Sequence, residues 1–167
     1  MLKLIGIIIL VISGGCGGYA AACRFTKKAL FLKQYAEFIS NINTQIRFTG
    51  YPLSEILKNY SASAPLGVYI TKCCELLKQY SFPEAWEQTF KTCAKDVRIS
   101  KEEEKMILNF GLHLGESDTE GQIKHCEYNH ELTQPYLNHA LEDKKTKGKL
   151  ALILGTCLGL ALGLMFI

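Results

Sequence analysis

Two apolar runs, one at each end, constrain what this chain can fold into. Leu2 to Ala22 carries a single charge, Lys3, and LKLIGIIILVISGGCGGYAA has about the 20 residues a helix needs to cross a hydrocarbon core. Leu150 to Ile167, LALILGTCLGLALGLMFI, is 18 uncharged residues, short for a span but within range. The first run also has the charged start, apolar centre and small residues (Ala20, Ala21, Ala22) of a cleaved leader, so cleavage stays open. Lipidation at Cys16 fits less well, because Ser13 stands where a lipoprotein signal carries a large aliphatic residue. The expectation is two membrane helices, 2–22 and 150–167, around a helical domain at 27–145.

Lysine and arginine cluster on the inner side of both runs. Arg24, Lys27 and Lys28 follow the first, and Lys144, Lys145, Lys147 and Lys149 precede the second. Cytoplasmic flanks are enriched in these residues, which places the central domain in the cytoplasm and both termini outside. The seven cysteines suit that side, being odd in number and without a CxxC pair, so neither a disulfide framework nor a zinc ribbon is expected.

The formal charge of +3 hides a division. Between residues 30 and 143, 11 lysines and arginines stand against 16 carboxylates, a difference of −5. The basic excess lies beside the apolar runs, where it meets anionic head groups of a lipid bilayer. No basic patch on the central domain points to nucleic acid.

The central pattern is helical throughout, and nothing alternates with period two for long enough to make a sheet. Phe31, Tyr35, Phe38, Ile42 and Ile46 fall on one helical face. Gly50 breaks that helix and Pro52 suits the start of the next. Leu66, Tyr69, Ile70, Cys73, Leu76, Leu77 and Tyr80 form a third stripe, and Trp86, Phe90, Cys93 and Val97 a fourth, opened by Pro83. Ser100 and Glu103 have capping-box spacing ahead of Ile107, Phe110 and Leu114. A sixth helix starts near Asp118, with a kink or break expected at Pro135, whose ring removes a backbone donor. The fold class is therefore all-α: six helices, with short links that set neighbours antiparallel.

Catalytic chemistry finds little support. His125 and His130 are five apart and face different ways; Cys126 and His130 are four apart but make only half a zinc site. No nucleophile with a base and orienting group, and no GxxxxGK[ST] loop, is visible. SGGCGG lies inside an apolar run, and Glu102, Glu103 and Glu104 read as a solvated helix start. No metal or cofactor is expected, and the chain reads as a non-enzyme.

Two other patterns remain. Gly14 and Gly18, and Gly155, Gly159 and Gly163, recur every four residues; this either lets helix backbones approach closely or reflects how common glycine is in membrane helices. LGESDTEGQ offers Gly115 to end one helix and Ser117 or Asp118 to cap the next. Its polar side chains, Glu116, Ser117, Asp118, Glu120 and Gln122, also make a corner that a partner could read.

MLKLIGIIIL, the basic residues after it, QIRFTGYPLSEIL, PEAWEQT and LGESDTEGQIKH, in that order between two apolar ends, resemble the stage III sporulation protein AB family over the full length. Tyr51 stands where the family pattern has Thr, and SEIL where it has EAL; neither change disturbs the helix start. That family is in turn similar to the cytoplasmic domain of the type II secretion F protein. The resemblance implies a six-helix bundle and a non-enzymatic platform in the mother-cell membrane facing the forespore, within a channel-like secretion complex. It further implies docking of a stage III sporulation AA-type ATPase, contacts with other stage III A membrane proteins, and room for a homo-oligomer. The alternative is a membrane-tethered adaptor or sensor that binds a soluble partner without an ATPase.

Overall fold

The computed structural model describes residues 2–60 and 63–165. Among them are six helices and no strand: α1 (Leu2–Phe48), α2 (Leu53–Asn59), α3 (Leu66–Leu76), α4 (Phe82–Val97), α5 (Lys101–His113) and α6 (Thr119–Met165). The chain divides into two compact units. One is Leu30–Asn138; the other combines the segment ending at Ala29 with the segment beginning at His139. The helix is continuous across residues 22–27 and 145–150, where only the composition changes.

The Leu30–Asn138 unit is built around rings. Phe31, Tyr35, Phe38 and Ile42 of α1 are buried as their spacing predicts, while Ile46, a turn further on, is half-buried. Phe38 stacks on Trp86 of α4 at 5.8 Å and meets Phe110 of α5 edge-on at 6.5 Å. Phe90 lies 4.1 Å from Trp86, and Tyr35 meets Phe110 edge-on at 6.0 Å. Such pairs add roughly 0.5–1.5 kcal/mol each beyond the area they bury. Trp86, in the first half of α4, touches the second half of α5, so this pair runs antiparallel.

Trp86 explains a glycine. Its Nε1–H donates to the carbonyl of Ile107 at 2.8 Å, which brings the indole flat against the backbone of α5. A Cβ at Gly111 would collide with Cγ, Cδ1 and Nε1 of the indole. Glycine there costs helix propensity of about 1 kcal/mol, and the buried indole offsets it.

Local chemistry sets the helix ends. Ser100 Oγ accepts from the Glu103 N–H at 3.2 Å, and the Ser100 N–H donates to the Glu103 carboxylate at 2.6 Å, completing the predicted box. The Ser81 N–H and hydroxyl both donate to the Glu84 carboxylate, at 3.0 and 2.8 Å, and hold it below the usual carboxylate range. Gly50, with φ 63°, turns the chain after α1. The link between α4 and α5 uses Arg98 at φ 58° in the left-handed region where glycine is usual.

Three expectations need correction. Glu103 is buried and not solvated, because its carboxylate turns back to the Ser100 N–H, while Glu102 stays exposed. Tyr80 is exposed, because α3 ends at Leu76 and the stripe ends with it. Of the kink or break expected at Pro135, the break is absent, because α6 runs through it. Pro135 and Glu131 are both on the exposed side, so water reaches the carbonyl that loses its donor. On the inner side Thr133 is buried, its hydroxyl donating to the carbonyl of Asn129 at 2.7 Å.

The terminal unit packs by different means. A Cβ at Gly18 would lie 2.6 Å from the carbonyl oxygen of Ala151, one at Gly155 would lie 2.5 Å from that of Gly14, and one at Gly159 would lie 2.7 Å from that of Leu10. Backbone therefore meets backbone, and only hydrogen fits between. Large side chains such as Ile12, Leu154, Leu158 and Leu164 point outward.

Candidate functional site

The corner between α5 and α6 is held by one buried amide. Gly115, at φ 94°, leaves α5 in a conformation that L side chains rarely adopt. Its N–H donates to Oε1 of Gln122 at 2.8 Å. Nε2 of Gln122 donates to Ser117 Oγ at 2.8 Å and, more weakly, to the carbonyl of His113 at 3.4 Å. Gln122 is nearly fully buried, so these bonds replace the water it has lost.

Asp118 is the cap. Its Oδ1 accepts from the Gly121 N–H at 3.1 Å, three residues into the turn, while Ser117 is occupied by Gln122. A Cβ at Gly121 would press to 2.6 Å on Ser117 Oγ and 2.9 Å on Asp118 Oδ1, so both side chains would have to shift. Glu116, Ser117, Asp118 and Glu120 all face solvent. His113 Nδ1 lies 2.8 Å from the Glu116 carboxylate, and Lys124 Nζ lies 2.7 Å from that of Glu120. Both are exposed pairs of a kind worth at most about 1 kcal/mol.

The link between α1 and α2 closes on this corner. Ile46, Gly50, Tyr51, Leu53 and Ile56 form one wall of a cleft of about 170 Å³, and Leu114, Gly115, Ser117, Thr119 and Gln122 form the other. The sequence stretches TGYPLSEIL and LGESDTEGQ, separated along the chain, thus share one surface feature. Sequence reasoning singled out each of them but not their meeting. The available signal was that each combines a left-handed glycine with apolar neighbours, which suits a chain reversal packed on another element.

Gly14, Gly18, Gly155 and Gly159 stand at the backbone contact of the terminal unit, and Gly163 is buried. At the start of its C-terminal segment, Asp143 accepts from Lys147 at 2.8 Å and lies 3.8 Å from His139. The Lys147 hydrogen bond, helped by the charges of His139 and Lys28, holds the Asp143 carboxyl below its ordinary range. α6 is long and apolar enough, by length and composition, to cross a membrane.

The remaining candidates are accounted for by packing. His125 Nε2 donates to the carbonyl of Phe110 at 3.0 Å, and its ring stacks on Phe110. Cys126 is fully buried and its thiol is pushed up to about 12, chiefly by desolvation; Cys73 behaves alike. Thiols so raised are not nucleophiles at neutral pH. Among the described residues no three His, Cys, Asp or Glu side chains are grouped to hold a metal ion.

The family model for stage III sporulation protein AB matches residues 3–167. Stage III sporulation protein AB of Bacillus subtilis (strain 168) is 24% identical over 131 residues, covering 76% of this chain and 77% of the relative. No solved structure matches.

Proposed function

Because the chain belongs to the stage III sporulation protein AB family, we propose that it is a non-enzymatic membrane platform of the stage III A complex, with its helical unit docking a cytoplasmic ATPase. Family membership supports a role in sporulation. The finer reading puts both apolar segments in the mother-cell membrane facing the forespore, the Leu30–Asn138 unit in the cytoplasm, and the stage III sporulation AA-type ATPase against that unit. A likeness to the type II secretion F domain belongs to the same proposal, as do contacts with other stage III A membrane proteins.

One observation carries the docking reading. The corner from Glu116 to Glu120 is held by its own hydrogen bonds, through Gln122, Gly115 and Asp118, yet its carboxylates are exposed. A surface fixed in advance loses little entropy on binding. Opposite charge on a partner adds rate and selectivity more than affinity.

The test reverses charge and spares the cap. In Glu116→Lys with Glu120→Lys, Asp118 remains to hold the helix start. Capture of the ATPase by the full-length membrane protein is expected to fall at least tenfold, with spore yield falling alongside and membrane level unchanged. Unchanged capture rejects the acidic corner as the docking surface. Loss of spore yield with a different soluble partner released would favour the adaptor reading.

A further inference from the structure

The cleft beside the corner has its own chemistry. Its volume, about 170 Å³, is that of a single side chain: a dry void near 150 Å³ suffices for a benzene ring. Leu53, Ile56 and Leu114 give it apolar walls, and the half-exposed ring of Tyr51 lies over its edge. Its polar floor is already engaged, because the Gln122 amide is bonded to Gly115, Ser117 and His113. An entering group therefore gains by leaving water and not by forming hydrogen bonds at depth.

None of the residues lining the cleft is charged, so any selection by charge falls to the stretch that flanks it. Residues 113–124 carry three carboxylates, Glu116, Asp118 and Glu120, against one lysine, Lys124. Arg47, next in sequence to the lining residue Ile46, pairs with Glu127 at 2.9 Å, and the pair adds no net charge beside the cleft. The two exposed pairs at the corner are weak enough to be exchanged for a partner's cations.

Resting on the reading of this end of the helical unit as a docking surface, we propose that the cleft receives one large apolar side chain, aromatic or branched, from a partner-protein segment whose neighbouring residues are lysine or arginine. The apolar group anchors in a pocket while the cations lie against the carboxylates. This division, with a buried anchor and a charged surround, is the usual anatomy of a small docking site.

The experiment uses the full-length protein in sporulating cells, with Tyr51→p-benzoylphenylalanine as a photocrosslinker at the cleft mouth. The crosslinked peptide is expected to contain a large apolar residue within two positions of a lysine or arginine. Thr119→Phe, which adds a ring to the cleft from an exposed position, is expected to cut the yield at least fivefold, whereas Thr92→Phe, which puts the same ring on the exposed face of α4 outside the cleft, leaves it unchanged. Circular dichroism of the purified variants establishes that both are folded. A crosslink to lipid, to another copy of this chain or to an acidic segment overturns the inference, as does no crosslink or one indifferent to Thr119→Phe. The identity of the captured protein is a separate readout. A basic apolar segment from a protein outside the stage III A complex removes the platform reading and keeps this one; the ATPase joined through an acidic segment does the reverse.

Discussion

The two compact units use the same residue types in opposite ways. In Leu30–Asn138 the large side chains turn inward, and Leu32, Ile39 and Trp86 are fully buried. In the terminal unit Ile9, Ile12, Leu158 and Leu164 turn outward, and glycines make the contact. In water, burying one leucine or isoleucine contributes roughly 1.5–3 kcal/mol, so the first arrangement follows from the solvent. In lipid that gain vanishes between helices, and close backbone approach with its dispersion contacts takes over. A unit that shows this much apolar surface calls for an apolar surrounding. This is the physical basis for proposing that both terminal segments lie in the bilayer.

The contrast can be broken from either side. The largest effect should come from Trp86→Ala, which empties the centre of the ring cluster and is expected to cost about 3–5 kcal/mol. Urea unfolding of the detergent-solubilised chain, followed by near-ultraviolet circular dichroism, measures it; a loss below about 1 kcal/mol would mean that the rings do not carry this unit. Next comes Gly155→Leu, whose side chain collides with the backbone of Gly14 and Gly18. Unfolding in sodium dodecyl sulfate should register a loss of about 1–3 kcal/mol, while the urea midpoint of the helical unit stays put. A shift of both midpoints together would show that the units are not separate. The smallest effect tests the corner, where hydrogen bonds and not burial set the structure. Asp118→Ala should cost about 1 kcal/mol, and Asp118→Asn, which still caps, only a few tenths. Equal losses for the two would mean that the carboxylate charge, not the cap, matters at this helix start.

Legibility in the sequence depended on whether the signal was local. The α1 face of Phe31, Tyr35, Phe38 and Ile42 was legible because helical period and burial agree. The Ser100–Glu103 box was legible because both partners lie within one turn. LGESDTEGQ announced a corner, but the choice of Asp118 over Ser117 depended on Gln122 occupying the Ser117 hydroxyl. Arg98 gave no warning of its left-handed turn, since the residue type argues against it. At Pro135 the helix does not break, because α6 has a buried face on one side and water on the other to meet the freed carbonyl. The cleft and the fit of Trp86 on Gly111 were invisible for a common reason: each joins residues far apart in the chain. A lone glycine inside a helix pattern does not say which ring it accommodates.

Trp86 is the chain's only tryptophan. Its indole is sealed among Phe38, Phe90 and Phe110 and tethered to the Ile107 carbonyl. The protein thus carries its own optical probe, located entirely within the helical unit. Emission from intact membranes should be blue-shifted while that unit is folded and move red only when it opens. Whatever the glycine-packed helices do in the bilayer, they contribute no indole to the signal.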